Sequence, residues 1–302
     1  MKWLALHGVV EINGADLKFI GENRGRTKRQ PAVDIISNTE TFAIARSDIS
    51  FESGVITAKV FIERSGSKVQ FRFSPDSLRT IYAGINVAEH PYGISASEAS
   101  EAKTIAVSGL GSQPPTGRWF SLEVRVTGST VEVYIDSVRT AFGQANIARS
   151  QLEILLQGQG RVEVKDVDVK TSKPTAFVVM QFTQEYTALY KEVIQPVCIE
   201  YGYEVVRGDD VYTNTQILED INRQIQLSSV IIADITPNNP NVYYEVGYAH
   251  ALGKPTILLS DRSREKLPFD VSGFRVLFYD NTIGGKSVVE GTLRKHLSAM
   301  RA

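Results

Sequence analysis

The chain has 302 residues with 33 basic and 34 acidic side chains, which gives a net charge of −1. This length predicts about two domains, each large enough to bury its own core. The balanced charge disfavours nucleic acid and anionic membranes as partners, because both attract strongly basic surfaces.

The cysteine and histidine content predicts neither a disulfide framework nor a zinc motif. Cys198 is the only cysteine, and four histidines are scattered along the chain, which favours a reducing compartment. The opening run, MKWLALHGVV, is interrupted by His7 and Gly8, so its apolar stretch is too short for a signal peptide or a membrane span. We expect a cytoplasmic protein with no membrane contact, no metal and no cofactor.

Residues 1–170 are predicted to be all-β. They carry short alternating apolar runs between turn residues and show no helical period. The clearest hairpin spans residues 119–136, WFSLEVRVTGSTVEVYID, in which two alternating runs flank Gly128 and Ser129. The number of such runs predicts a sandwich of the jelly-roll type.

A second hairpin is predicted over residues 152–171, LEILLQGQGRVEVKDVDVKT. Gly158 and Gly160 would form its turn. The alternation changes phase near Lys165 and Asp166, which indicates a β-bulge at that point.

The pattern changes after the linker TSKPT, residues 171–175. In residues 176–302, apolar runs such as AFVVM, VIIADI, PTILLS and FRVLFY alternate with segments of helical period, which is typical of a parallel sheet covered on both faces. We predict a doubly wound, flavodoxin-like α/β domain with five parallel strands. The predicted helices span residues 184–201, with a kink at Pro196, and residues 215–228, 240–252 and 287–300.

Doubly wound folds bind ligands beyond the carboxyl ends of their strands. The polar and aromatic residues that follow the predicted strands are therefore the candidate site residues. They are Gln181, Phe182, residues 207–209, Asp234, Ser260 and residues 261–262.

Glu245 is an unusual carboxylate within the predicted helix 240–252. Asn239 suits the N-cap and Pro240 suits the first helical position. At about 100° per residue, Asn241 lies about 40° from Glu245 and one turn nearer the helix start, where the two asparagines and Asp234 would form a polar pocket suited to a ribose.

Two interpretations of Glu245 remain open. Its carboxylate lies in water at the margin of the packed face, or it is partly desolvated beneath a ligand. In the second case apolar surroundings favour the neutral acid, whereas the helix start favours the anion. As an anion it is competent to attack the anomeric carbon of a sugar.

The runs AFVVMQF and VIIADITPNNPNVYYEVGYAHALGKPTILLS, within residues 174–280, resemble the nucleoside 2-deoxyribosyltransferase-like domains of bacteria. The fold of that family is close to that of Toll/interleukin-1 receptor (TIR) domains. The resemblance implies that Glu245 attacks the anomeric carbon of a nucleoside, displaces the base and forms a glycosyl-enzyme intermediate. It also implies that Asp234, with Asp220 in the preceding helix, positions sugar hydroxyls and assists the departing base.

One residue departs from the family pattern. The transferases carry an acidic residue about six positions before the nucleophile, whereas this chain has Asn239. The sequence is in this respect more similar to members joined to other domains, which bind or cleave nucleotides, including the nicotinamide–ribose bond of NAD. The implied ligand is a nucleoside, a nucleotide or NAD, with NAD as substrate.

The stretch GRWFSLEVRVTGSTVEVYIDS, residues 117–137, resembles concanavalin A-like jelly rolls of the laminin-G type. This resemblance implies that the β-sandwich binds a carbohydrate or a protein. The alternative, that Trp119 and the valines are only core residues, is favoured because aromatic residues in sandwiches are commonly buried.

Three other features have structural interpretations. The basic segment 22–30, with Arg24, Arg26, Lys28 and Arg29, could bind phosphate but lacks interleaved aromatic residues, which favours a solvated loop. The glycine-containing stretch 109–117 lacks Gly-Lys-Ser/Thr and is interpreted as a connection. Cys198 lies among apolar helical positions, which indicates a buried structural thiol.

Three functions are compatible with these patterns. The first is an enzyme that cleaves or transfers an N-glycosidic bond, with the β-sandwich as a sensing or targeting module. The second is a nucleotide sensor that uses the same pocket without turnover. The third is an interaction protein whose TIR-like half forms a homo-oligomer.

Overall fold

The computed structural model describes residues 1–21, 42–75, 79–98, 101–208, 217–264 and 266–300. The chain divides into two compact units, one made by Met1–Val126 with Val131–Thr171 and the other by Thr127–Thr130 with the chain from Ser172 onward. The first is a β-sandwich and the second has a parallel sheet with helices, so the predicted fold class is confirmed. Among the described residues, no helix is long and apolar enough to cross a membrane.

The first domain consists of antiparallel strands in two layers. In chain order the strands are β1 (Trp3–His7), β2 (Glu11–Asn13), β3 (Asp16–Gly21), β4 (Phe42–Phe51), β5 (Gly54–Ile62), β6 (Lys68–Phe73), β7 (Arg79–Val87), β8 (His90–Glu98), β9 (Glu101–Ser108), β10 (Trp119–Thr127), β11 (Thr130–Ile135), β12 (Val138–Gln144), β13 (Ser150–Gln157) and β14 (Gly160–Thr171). In the described part, sheet A has the order β1-β4-β13-β6-β7-β8-β9. Sheet B has the order β12-β11-β10-β5-β14-β3-β2.

The inward-facing residues of both sheets form one continuous core. In β10, Leu122, Val124 and Val126 are buried, whereas Arg125 between the last two is exposed. This alternation is the expected result of a strand with one buried face. The predicted hairpin 119–136 is confirmed, since β10 and β11 are neighbours in sheet B and Gly128 at the turn has a φ of 57°.

The predicted second hairpin is wrong. Strand β13 pairs with β4 and β6 in sheet A, whereas β14 pairs with β3 and β5 in sheet B. The turn between them, which we call the cross-layer turn (residues 158–159), carries the chain from one layer to the other. Leu156 before the turn and Val162 after it are both buried in the shared core, because the two sheets contribute opposite walls to it.

The predicted bulge in β14 is confirmed. The register of β14 against β5 shifts between Lys165 and Asp168, and Asp166 has a φ of 51°, a conformation that aspartate tolerates better than most residues.

Trp119 differs from the expectation that it is a core residue. Its side chain is 41% exposed and contacts the ring of Phe61, with ring centroids 5.7 Å apart.

The second domain has a five-stranded parallel sheet in the described residues. Its strands are β15 (Thr175–Val179), β16 (Glu204–Arg207), β17 (Val230–Asp234), β18 (Thr256–Asp261) and β19 (Val276–Tyr279), in the order β16-β15-β17-β18-β19. The neighbouring strands are parallel. Four of them, β15, β17, β18 and β19, agree with the predicted apolar runs.

Helices cover both faces of this sheet. They are α1 (Gln184–Leu189), a π-helical segment (Tyr190–Ile194), α2 (Gln195–Glu200), α3 (Ile217–Leu227), α4 (Pro240–Ala251), α5 (Phe269–Ser272) and α6 (Ile283–Ala299). Alternate residues of β15 enter different cores. Val178 packs in the core that includes Ile194 and Leu293, and Phe177 packs in the core that includes Ile225 and Val246.

The chain from Gln184 to Glu200 is helical throughout but changes type before Pro196. Proline has no N–H to donate, and its ring clashes with the carbonyl of a preceding turn in a regular α-helix. The π-helical segment Tyr190–Ile194 ends two residues before Pro196, and the Gln195 N–H donates a hydrogen bond to the Tyr190 carbonyl. The structure thus places a π turn just before Pro196, and such turns often mark a functional region; the predicted kink at Pro196 stays a prediction.

One helix begins earlier than predicted, and one short helix was not predicted at all. Helix α6 begins at Ile283, four residues before the predicted start at Ser287, and the Thr282 hydroxyl caps it by accepting a 3.0 Å hydrogen bond from the Gly285 N–H. The two glycines in its first turn hid this start in the sequence, because glycine is a poor helix former. Helix α5 was not predicted.

Cys198 is fully buried and burial raises its pKa to about 12, which agrees with a structural thiol.

Candidate functional site

The carboxyl ends of the parallel strands form the edge where ligands bind in such folds. Arg207 ends β16, Asp234 ends β17, Asp261 ends β18 and Tyr279 ends β19. Phe182 lies shortly after β15. The sequence predicted all of these positions as candidates except Tyr279.

Helix α4 presents Glu245 in its second turn. Asn239 caps this helix, since its side-chain oxygen accepts a 3.0 Å hydrogen bond from the Asn241 N–H, and Pro240 occupies the first turn as predicted. Val242, Val246 and Ala249 are buried in the core beneath the helix. Glu245 is half-buried beside that stripe.

The Glu245 carboxylate has no hydrogen-bond or ion-pair partner among the described residues. Burial raises its pKa from 4.5 to about 7, because the charged form loses hydration that no donor replaces. Neither oxygen is among the fully enclosed polar atoms that lack a partner, so the carboxylate retains access to solvent or a ligand. A carboxyl group of this kind can exchange a proton near neutral pH and, once ionised, can act as a nucleophile.

Asp234 has a different environment. It is fully buried, and its two oxygens accept hydrogen bonds of 2.7 Å from the Tyr279 hydroxyl and 2.9 Å from the Thr236 N–H. Burial raises its pKa, while the bonds from Thr236 and Tyr279 oppose that rise. In the described part of the chain no hydrogen bond connects Asp234 with Glu245, and a ligand would reach Asp234 only after the edge rearranged.

The loop after Asp234 is held by a network that the sequence did not predict. The Thr236 hydroxyl accepts a 2.8 Å bond from the Asp261 N–H and lies 3.3 Å from the Tyr279 hydroxyl. Arg264 donates to the carbonyls of Ile235 and Thr236. These contacts fix the segment that leads into α4. Tyr279 could have been noticed as a polar residue at the carboxyl end of a predicted strand.

Ser260 is fully buried, and its hydroxyl lies 3.4 Å from the Asp261 carbonyl. Gln181 is half-buried and Asn241 is exposed. Ser260 is thus enclosed in the sheet, whereas Asn241 and Gln181 remain accessible.

Phe182 and Arg207 lie against each other at the edge. The Phe182 side chain is 52% exposed, whereas Arg207 is only 7% exposed. The Arg207 guanidinium carbon lies 5.5 Å from the centroid of the Phe182 ring and 4.6 Å from that of Tyr190. Asp209, the last residue of the predicted group 207–209, lies outside the described residues.

Asp220 lies in the first turn of α3 and is half-buried. The same helix contacts α4 through two tyrosines. Asn222 donates to the Tyr244 hydroxyl at 3.5 Å, and Gln226 donates to the Tyr248 hydroxyl at 2.5 Å. The side-chain oxygen of Asn222 is enclosed without a partner among the described residues, which leaves an unmatched acceptor on the helix next to α4.

Lys254 is a buried charge that the sequence did not reveal. It is 4% exposed, and its Nζ donates to the carbonyls of Gln226 and Ser228, each at 2.6 Å. Burial lowers its pKa to about 7, although the two carbonyls stabilise the protonated form. Its contacts lie at the end of α3, so Lys254 stabilises the end of that helix and does not contribute to the strand edge.

A cavity of about 510 Å³ lies between the α1–π region and the start of α6, and Tyr279 is among its lining residues. Two pairs bridge its rim, Asn281 with Glu185 at 2.6 Å and Lys286 with Glu192 at 3.1 Å. Glu245 does not line it. Among the described residues, no group of three or more His, Cys, Asp or Glu side chains is placed to hold a metal ion.

Two other sequence features can be located. The stretch 109–117 lies between β9 and β10 without a helix, in agreement with its interpretation as a connection. The basic segment 22–30 lies outside the described residues.

No protein-family model matches the sequence, and no curated protein matches it significantly. Solved structures are similar to the first domain in architecture. The carbohydrate-binding module CBM66 of Bacillus subtilis is 12% identical, with a TM-score of 0.42 over 56% of this chain and 95% of that one. A Bacillus subtilis protein of unknown function with a galectin-like fold is 10% identical, with a TM-score of 0.39 over 56% of this chain and 89% of that one.

The transglycosylase Crh5 is 12% identical, with a TM-score of 0.35 over 57% of this chain and 80% of that one. These similarities concern the fold alone. The resemblance of the second domain to nucleoside 2-deoxyribosyltransferases finds no support in them and stays a prediction.

Proposed function

We propose that the α/β domain cleaves or transfers the N-glycosidic bond of a nucleoside, a nucleotide or NAD, with Glu245 as the nucleophile. The supporting observation is the half-buried Glu245 carboxylate, which has no partner among the described residues and has a pKa of about 7. A desolvated, unpaired carboxylate destabilises a fold. Retaining one on a helix that begins at the ligand-binding edge favours a role toward a ligand.

The chemistry follows from the charge that develops on the sugar. As the bond from the anomeric carbon to the base nitrogen breaks, the base leaves with the electron pair and the sugar becomes positively charged. The ionised oxygen of Glu245 stabilises this carbon and forms a bond to it. A water molecule or an acceptor hydroxyl then attacks the same carbon, loses its proton and releases Glu245 as a carboxylate.

The leaving group distinguishes the candidate substrates. Departure of most nucleobases is assisted by a general acid, yet Asp234 is enclosed and the Asn239 side chain accepts the capping bond of α4. The nicotinamide of NAD leaves as a neutral molecule without protonation, because its ring nitrogen is already cationic. Within the proposed substrates, NAD therefore suits this site best, and Asp234 acts by holding the loop before α4.

A second candidate function is nucleotide sensing without turnover. The observation that favours it is the same pKa of about 7, because a carboxyl group that is partly protonated at neutral pH can bind a ribose hydroxyl as donor or acceptor. The β-sandwich would then supply a second ligand site, for a carbohydrate or a protein. The partly exposed Trp119 ring, with Lys165 Nζ 4.9 Å from its centroid, is an outward-facing aromatic group of the kind such ligands contact.

The test is base release by the full chain. Purified protein is incubated with NAD and with a panel of nucleosides, and released base is measured by chromatography for the wild type, Glu245→Gln and Glu219→Gln. Glu219 is an exposed helical glutamate of the same domain, so it is the matched control. We expect base release by the wild type and the control only, with NAD affinity of Glu245→Gln within about tenfold of wild type, since the amide is nearly isosteric.

The outcomes separate the candidates. Wild-type turnover by Glu245→Gln would show that another group does the chemistry. Nucleotide binding by the wild type without base release would favour the sensor in place of the enzyme.

A further inference from the structure

An exposed aromatic ring stands at the ligand-binding edge of the second domain. Phe182 follows β15 and is 52% exposed. Single exposed aromatic residues are common on protein surfaces and carry no meaning by themselves. The contacts that hold this ring in place distinguish it from such residues.

Arg207 lies against one side of the Phe182 ring, with its guanidinium carbon 5.5 Å from the ring centroid. The guanidinium is itself held, because it lies 4.6 Å from the Tyr190 ring centroid and its Nη1 donates a 3.2 Å hydrogen bond to the Thr187 hydroxyl. Only 7% of Arg207 is exposed. The cation is thus a buried, oriented support for the ring.

The backbone of Gly208 lies close to the Phe182 ring. A Cβ at this position would lie 3.3 Å from the Phe182 Cζ, which is tighter than an ordinary van der Waals contact. The ring therefore packs against backbone and guanidinium, while a large part of it remains open to solvent. An aromatic ring that is held in this way is preorganised for stacking, since its side-chain entropy is already restricted.

We propose that Phe182 is the stacking platform for a neutral, electron-rich base such as adenine, with Arg207 as its positioning residue. This inference rests on the proposed function. Base stacking on an aromatic side chain is tolerant of sequence and contributes strongly to affinity. The Arg207 charge behind the ring repels a second cation, so the pyridinium ring of NAD is disfavoured at this position and the adenine of the same molecule is favoured.

The test measures binding by calorimetry with two probes, ADP-ribose and ribose 5-phosphate. Phe182→Leu removes the ring and Phe182→Tyr keeps it, while Phe269→Leu changes an aromatic residue on α5 that is 92% exposed. We expect Phe182→Leu to weaken ADP-ribose binding by about tenfold to hundredfold. Phe182→Tyr and the α5 control should stay within about threefold of wild type.

Ribose 5-phosphate separates stacking from a structural role because it lacks a base. Its affinity should be the same in all four proteins. Equal loss of both probes in Phe182→Leu would mean that the ring supports the fold, and unchanged ADP-ribose affinity would overturn the platform. A wild type that binds neither probe would also overturn it.

This result is independent of turnover. If the wild type binds ADP-ribose but never releases base from NAD, the proposed reaction is wrong. The affinities of wild type and Phe182→Leu for ADP-ribose and ribose 5-phosphate still test whether Phe182 stacks the base. If base is released with an unchanged KM for NAD in Phe182→Leu, the platform fails while the reaction stands.

Discussion

The Tyr279 hydroxyl donates a 2.7 Å hydrogen bond to the fully buried carboxylate of Asp234. These residues end β19 and β17, on either side of β18, so the bond ties the strand ends together beneath the loop that leads to α4. It replaces hydration that the carboxylate loses on burial.

Tyr279→Phe should therefore destabilise the second domain by about 1 to 3 kcal/mol, the range for leaving a buried polar group short of a partner. The free energy of unfolding is measured by urea titration, followed by the helical circular dichroism signal. Tyr201→Phe is the control, because Tyr201 is half-buried and its hydroxyl forms no hydrogen bond with any of the described residues. This substitution should shift the free energy of unfolding by less than about 0.5 kcal/mol. Equal effects of the two substitutions would contradict a specific role for the Tyr279 bond.

Glu245 should make stability depend on pH. Its pKa rises from 4.5 to about 7 on folding, so the unfolded chain releases the proton first and folding is penalised once the pH exceeds the lower value. Below about pH 4.5 wild type and Glu245→Gln should be equally stable. Above about pH 7 the variant should be more stable by about 1 to 3 kcal/mol, and a constant difference across this window would contradict the assignment.

Base release should depend on pH in the opposite direction from stability, because the reaction needs the Glu245 anion. Activity of the wild type should rise as pH increases through about 7, because the protonated carboxyl group cannot act as a nucleophile. The measurement is kcat for NAD cleavage across this range, where a flat profile would indicate a rate-limiting step that does not involve this ionisation.

Lys254 should stabilise the end of α3. Lys254→Met leaves the carbonyls of Gln226 and Ser228 without the donor that both now use, at a cost of about 1 to 3 kcal/mol. Its lowered pKa of about 7 means that wild-type stability should rise relative to the variant between about pH 7 and 10, where only the unfolded chain keeps the proton. Thermal unfolding of both proteins across this range tests the slope, with exposed Lys295→Met as the matched control.

The cross-layer turn of the first domain should not tolerate a side chain. Gly158 has a φ of 134°, and a Cβ there would lie 2.7 Å from the Ser67 Cα. Gly158→Ala should cost more than about 1 kcal/mol, whereas Gly66→Ala meets nothing within 4 Å and should be nearly neutral. Tryptophan fluorescence reports this domain, since Trp3 and Trp119 both lie in it, and equal stability of the two variants would show that the turn can adjust.

Local patterns predicted much of this molecule. The five parallel strands, the hairpin at Gly128 and the bulge near Asp166 each depend on residues close in sequence. The apolar period also placed Glu245 beside the packed face of α4. These features follow from alternation, helical period and capping chemistry.

Features that depend on distant residues were missed. The bond between Tyr279 and Asp234 joins residues 45 positions apart, and the burial of Lys254 depends on carbonyls at the end of another helix. The apolar alternation around Gly158 is the same for a hairpin and for a turn between layers. Only the pairing of β13 and β14 with earlier strands distinguishes the two.

The cross-layer turn also bears on when the first domain can fold during synthesis. Strand β13 separates β4 from β6 in one sheet, and β14 separates β3 from β5 in the other. Within this domain, Glu153 of β13 contacts Arg46, 107 residues earlier. During synthesis, neither sheet can therefore become continuous until β13 and β14 have left the ribosome. Until then the unpaired edges of the earlier strands can bind chaperones or pair with one another.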